Sequence, residues 1–156
     1  MSFLISLEES AFGVWVSTSL VGYPLMITLH AIGMAVMVGL SVALDLRLLG
    51  WFPGIPYAAI NRFLAIAWVG FTINLLSGTA LFCMQASSYV QDGTFLLKML
   101  FVLLGAVTAA FLQSSLNRNS GSWGAAAPGG VRLLAVASIL FWTGGMVTGR
   151  LIAYLV

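Results

Sequence analysis

Charge is what this chain has least of. Its 156 residues include six Lys and Arg and four Asp and Glu, or 6% charged positions. Soluble domains carry roughly 25%. Such a stock cannot cover a water-facing surface, so an ordinary soluble domain is excluded. The net charge of +2 is too small to hold a polyanion, which removes nucleic acid as a partner. The single cysteine, Cys83, excludes an internal disulfide and an all-cysteine metal cluster. The single histidine, His30, means that one chain cannot supply a pair of imidazoles. A Ser/His/Asp set, a glycine-rich phosphate loop and paired intramembrane carboxylates are also missing, so no catalytic activity of its own is expected. The first residues carry Glu8 and Glu9, no Lys or Arg, and no small-residue cleavage site, so no cleavable signal peptide is expected.

What remains is apolar. Hydrophobic residues make up 61% of the chain, and the mean hydropathy is +1.08. The apolar runs are long and continuous and lack the period-two alternation of membrane barrel strands. The expectation is an all-α single membrane domain, a four-helix transmembrane bundle with an N-terminal interfacial amphipathic helix. The interfacial helix is expected over about residues 3–17, with Phe3, Leu7, Ala11 and Val14 on one side and Trp15 at headgroup level. The spans are expected at about 23–49, 58–84, 94–116 and 131–155. Pro24 suits a first helical turn, where its missing N–H costs nothing. Pro53, Gly54 and Pro56 break the chain after the first span. Residues 85–93 read as a polar turn, and residues 117–130 as a flexible loop.

The loops at one end of such a bundle carry Arg47, Arg62, Arg118 and Arg132. The other end carries Lys98 and Arg150 but also Glu8, Glu9 and Asp92. The positive-inside rule makes the arginine loops cytoplasmic. A multi-pass protein of a bacterial cytoplasmic membrane, with both termini periplasmic, is therefore expected. At the arginine end, Asp45 and Arg47 would form a local pair or hold lipid phosphate.

His30 lies well inside the first span, about 10 Å below Tyr23 at roughly 1.5 Å per residue. An ionisable group at that depth is costly and marks a candidate site. Lys98, Arg150 and Gly78 come from the other spans to a similar level, so a polar pocket is expected there. On the first span, Ala31, Ala35, Gly39 and Ala43 form a small-residue ridge suited to close helix packing. Met26, His30, Met34 and Met37, with Gly33 among them, fall on a different face. Gly145 and Gly149 give a further close-packing spacing on the last span.

Three readings of His30 stay open. It would ligate haem b, with Gly33 letting the macrocycle approach and Lys98 and Arg150 holding the propionates. It would join Met26 and Met34 in a thioether and imidazole site for copper. Or it would be structural, hydrogen-bonded to Asn74, Thr28 or a backbone carbonyl. A quinone pocket would call for the same cations. The sharpest expectation is a small redox subunit that binds haem b through His30 and exchanges electrons with a quinone or a periplasmic partner. The rivals are an accessory subunit of a larger membrane complex and a copper or small-molecule transporter. Membrane lipid and a homo-oligomer or larger complex are the expected partners.

Several elements together resemble a known family. They are Pro24, His30 and Gly33, then Asp-Leu-Arg-Leu-Leu-Gly at positions 45–50. Ser77-Gly78 with Leu81-Phe82, Phe95 with Lys98, and Gly149-Arg150-Leu151-Ile152 follow. The chain is similar over nearly its whole length to small bacterial four-helix inner-membrane proteins known as a domain of unknown function. The resemblance implies fold and membrane location, and no activity. It picks out His30, Lys98 and Arg150, while Met26, Met34 and Met37 fall outside its pattern. More distantly, the arrangement is similar to b-type cytochrome bundles and copper-resistance membrane proteins. The chain departs from the cytochromes in lacking their further histidines.

Overall fold

Runs of 27 or 28 mostly apolar residues satisfy their own backbone groups only as helices when water is scarce, and the chain folds accordingly. The computed structural model describes residues 2–123 and 127–155. Two short helices, α1 (Ser2–Glu8) and α2 (Ala11–Thr18), precede the long α3 (Gly22–Leu48) and α4 (Tyr57–Met84). A short α5 (Ala86–Gln91) leads into α6 (Gly93–Asn119), and α7 (Gly129–Leu155) completes the chain. α3, α4, α6 and α7 are each long and apolar enough to cross a membrane. We call the end where α3 begins and α7 finishes the upper end, as a label only.

Two expectations change in detail. The 3–17 segment is not one helix. Ser10 interrupts it, its Oγ donating to Leu7 O at 2.6 Å and capping α2 by accepting from Gly13 N at 3.1 Å. The 85–93 segment is not only a turn, because it holds α5. Glu8 fixes that helix, its Oε1 accepting from both the backbone N and the Oγ of Ser87 at 2.7 Å. Asp92 then caps α6, accepting from Thr94 N and Phe95 N.

The four spans form a ring with one weak seam. α3 packs closely on α4, α6 on α7 and, less extensively, α3 on α7, while α4 and α6 barely touch. The lower half holds most of the large buried side chains. Leu44 and Leu48 of α3, Leu64 of α4, and Leu112 and Leu116 of α6 are fully buried there. Polar pairs close the α4–α6 seam at that level. Asn61 Nδ2 donates to Asn117 Oδ1 at 2.6 Å, and Trp68 Nε1 to Gln113 Oε1 at 2.7 Å.

The close packing of α3 on α4 does not use the expected ridge. Ala31, Ala35, Gly39 and Ala43 all face outward, and a Cβ on Gly39 would meet nothing within 4 Å. Gly33 makes the contact instead. A Cβ there would lie 2.6 Å from Gly70 O and 2.7 Å from Asn74 N, so the two backbones touch directly. His30 and Gly33 thus lie on the tight-packing side of α3, the reverse of the sequence expectation.

Candidate functional site

The Gly33–Gly70 contact decides where His30 goes. It brings the last polar turn of α4 within reach of the imidazole, one helical turn before Gly33. His30 Nδ1 lies 3.1 Å from the carbonyl oxygen of Asn74. A carbonyl only accepts, so Nδ1 carries the proton and donates. Asn74 Nδ2 donates back to the His30 carbonyl at 2.8 Å. Ser77 Oγ stands 3.4 Å from Nδ1 and donates to Ile73 O. Gly78 leaves space for the ring, since a Cβ there would sit 3.0 Å from His30 Cε1. In the neutral ring, Nε2 then carries the lone pair. It has no hydrogen-bond partner among the described residues.

Lys98 arrives from the first turns of α6. Its stem runs over Gly149 of α7, where a Cβ would lie 3.5 Å from Lys98 Cε and 3.8 Å from Nζ. The side chain is half-buried, and no hydrogen bond or ion pair reaches it among the described residues.

His30 and Lys98 both line three adjoining cavities. The main one, of about 360 Å³, lies at the α4–α6 seam, with Phe71, Leu75, Thr79 and Met99 in its wall. Leu75 and Met99 are also exposed on the lipid-facing surface, so this cavity has a side window between α4 and α6. The second, of about 320 Å³, opens at the upper end past Tyr23, Gln85 and Tyr89. The third, of about 20 Å³, lies against Met34, Met37 and Trp142 and has room for one water. Phe82 and Phe95 line both larger cavities, and Tyr89, which lines the second, stacks on them. Their centroids are 5.1–6.4 Å apart and their planes tilt by only 21–23°. Burial pushes the Tyr89 hydroxyl up from its ordinary range, with Tyr23 adding to it, so Tyr89 stays neutral.

Of the residues singled out in the sequence, His30, Lys98 and Gly78 come together. Met34 reaches only the smallest cavity, and Met26 lines none of the three. Gly33 serves the α3–α4 contact. Arg150 follows the cavity-lining Gly149 but is itself exposed and lines no cavity. Gly145 and Gly149 face α6 with room for a Cβ, which would meet Val102 and Lys98 at 3.6 and 3.5 Å; the tight approach is at Gly144, where a Cβ would lie 3.0 Å from the Phe101 ring. Sequence reasoning missed Phe82, Tyr89, Phe95 and Met99 as site residues. Phe82 and Phe95 stood in the resemblance without a role, Tyr89 lay in a segment that read as merely polar, and nothing in the sequence marked Met99. Among the described residues, no group of three or more His, Cys, Asp or Glu side chains is placed to hold a metal ion.

No protein-family model matches this chain, and no curated protein or solved structure matches it either.

Proposed function

We propose that this chain is a membrane redox subunit whose pocket takes the ring of a lipid-soluble quinone. One observation carries the reading. His30 Nε2 and the Lys98 ammonium, both unpaired among the described residues, border one largely apolar cavity with a window on the lipid side. Asn74 and Thr79 also line the wall, but their side chains donate to backbone carbonyls, so His30 and Lys98 are the groups left to meet a flat ring with few oxygens, and a lateral window suits a ligand that arrives through the bilayer. Lys98 donates to a quinone carbonyl. His30 Nε2 accepts from the corresponding quinol hydroxyl, so the pair serves both redox states. Phe82 and Phe95 in the wall offer aromatic surface for the ring. Electrons enter and leave through a partner subunit or a soluble donor. The arginine distribution supports a bacterial cytoplasmic membrane with both termini periplasmic.

Haem b on His30 is the second reading, and the Asn74 bond favours it. A metal-binding imidazole is commonly fixed by donating its other N–H to a carbonyl. His30 Nε2 would hold the iron, and Lys98 would hold a propionate. Met99, on α6, lines the same cavity and would be the thioether available to such a group. Copper has less support, because the Met26–His30–Met34 ladder does not share one cavity.

The test uses the protein purified in mild detergent. A short-chain quinone should quench its tryptophan fluorescence saturably, and Lys98→Leu and His30→Leu should each weaken binding about tenfold or more, about 1.4 kcal/mol. Equal quenching by wild type and both folded variants would remove the quinone reading. A reduced-minus-oxidised spectrum of b type, lost in His30→Leu, would install haem in its place.

A further inference from the structure

A second buried polar group lies at the other end of α3, far from the pocket. Asp45 is 1% exposed, and neither carboxyl oxygen has a hydrogen-bond partner among the described residues. Across the α3–α7 contact, Ser138 is fully buried with its Oγ within reach of the carboxyl, although no hydrogen bond of regular geometry joins them. Ser41, one turn before Asp45, is buried too. Its Oγ donates only to Met37 Sδ, at 3.9 Å, which leaves its lone pairs open. Unpaired buried polar atoms are rare, and several at one place mark an unseen ligand or water.

The expected local pair with Arg47 does not provide for Asp45. The Arg47 fork reaches the loop after α3. Nε donates to Ile55 O at 2.7 Å, a terminal nitrogen to the Tyr57 hydroxyl at 3.2 Å, and the other to Pro53 O at 3.4 Å. The guanidinium also lies over the Tyr57 ring, 4.1 Å from its centroid. Arg132, at the start of α7, donates to Leu49 O at 3.5 Å. Arg62 of α4 and Arg118 of α6 are exposed. Asp45 is also the only acidic residue in any of the four spans, since Glu8, Glu9 and Asp92 lie outside them.

We propose that Asp45, with Ser138 and Ser41, is a proton-carrying site in the lower half of the bundle. A carboxylate here has only the hydroxyls of Ser138 and Ser41 to replace its lost hydration, and no cation pairs with it among the described residues. A carboxylic acid carries no charge to solvate, and its O–H donates to Ser138 Oγ. Its proton exchanges with water at the lower end, and Ser138 sets the strength of the acid's hydrogen bond. The ligand is a proton rather than a metal cation, because one carboxyl and two hydroxyls form a poor shell for a hard cation.

Infrared difference spectroscopy on the whole protein in lipid tests this without reference to the upper pocket. At neutral pH, wild type should show a carboxylic-acid C=O band that moves down in D₂O. Asp45→Asn should lose the band, and Ser138→Ala should shift it. Carboxyl-¹³C aspartate in the wild-type chain gives the same answer if the variants fail to fold, because the acid band must then move with the label. An absent acid band would overturn the proposal. So would a band that survives Asp45→Asn, or one that appears only when sodium is removed, which would assign a cation site instead.

Discussion

His30 and Asn74 hold each other by two hydrogen bonds in opposite directions, imidazole to backbone carbonyl at 3.1 Å and side-chain amide to backbone carbonyl at 2.8 Å. The first fixes which ring nitrogen faces the cavity. The second ties α3 to α4 at the same level. Asn74→Ala removes the second and leaves the first, since the carbonyl remains. Interhelical hydrogen bonds in membranes are worth roughly 0.6–2 kcal/mol. Asn74→Ala should therefore cost about 1 kcal/mol in reversible unfolding in detergent and should weaken ligand binding only slightly. Binding lost as completely as in His30→Leu would mean that the side chain, not the carbonyl, orients the ring.

Two glycines beside His30 should respond differently to the same methyl group. At Gly33 the new Cβ meets the backbone of Gly70 and Asn74 at 2.6–2.7 Å, and backbone cannot yield without parting the helices. Overpacking of this kind costs about 1–3 kcal/mol, so Gly33→Ala should lower unfolding stability by that much. At Gly78 the neighbours are the His30 ring atoms Cε1 and Nδ1, at 3.0 and 3.3 Å. The ring can swing away, so Gly78→Ala should stay stable yet bind the pocket's ligand about tenfold more weakly, or about 1.4 kcal/mol. Parallel thermal unfolding and ligand titration separate the two outcomes. A destabilised Gly78→Ala with normal binding would contradict the assignment of Gly78 to the site.

Arg47 anchors the loop after α3 at 4% exposure through the fork described above. Lysine offers a point charge with no fork and a weaker grip on the Tyr57 ring. Arg47→Lys should cost about 2 kcal/mol, the scale of hydrogen bonds made by a charged group. Chemical denaturation in detergent measures it. A loss within about 0.5 kcal/mol of wild type, the range of ordinary surface changes, would show that the fork does not hold the loop.

The positions of His30 and Lys98 could be read from the sequence because depth follows from counting residues along a span. Which way a helix is turned could not. Gly33 and Ala31 are two residues apart, yet one is buried against α4 and the other faces outward. That choice rests on Gly70, which lies on another helix. The same limit misplaced Arg150, whose depth suits the pocket but whose direction does not. Asp45 read as an edge residue because it is three positions from the end of α3. Its burial comes from α7, nearly a hundred residues later in the chain.

Glu8 and Ser87 give the upper end a response to acid. Ser87 donates to Glu8 through its backbone N–H and then its hydroxyl, and both bonds hold the Glu8 carboxyl below its ordinary value of 4.5. A carboxylate favoured in the folded state adds stability above its unfolded value. That contribution is lost as pH falls through the lowered folded value. Docking of α1 on α5 should therefore be steady above about pH 4.5 and weaken below it, while the four spans stay folded. Hydrogen exchange of the Ser87 amide, followed from neutral pH downward and corrected for intrinsic rates, should show protection falling in that window. Glu8→Gln should begin with lower protection and lose the pH dependence. Protection that is flat with pH in wild type, or unchanged in Glu8→Gln, would mean that apolar contacts of α1 and not this carboxylate hold the segment in place.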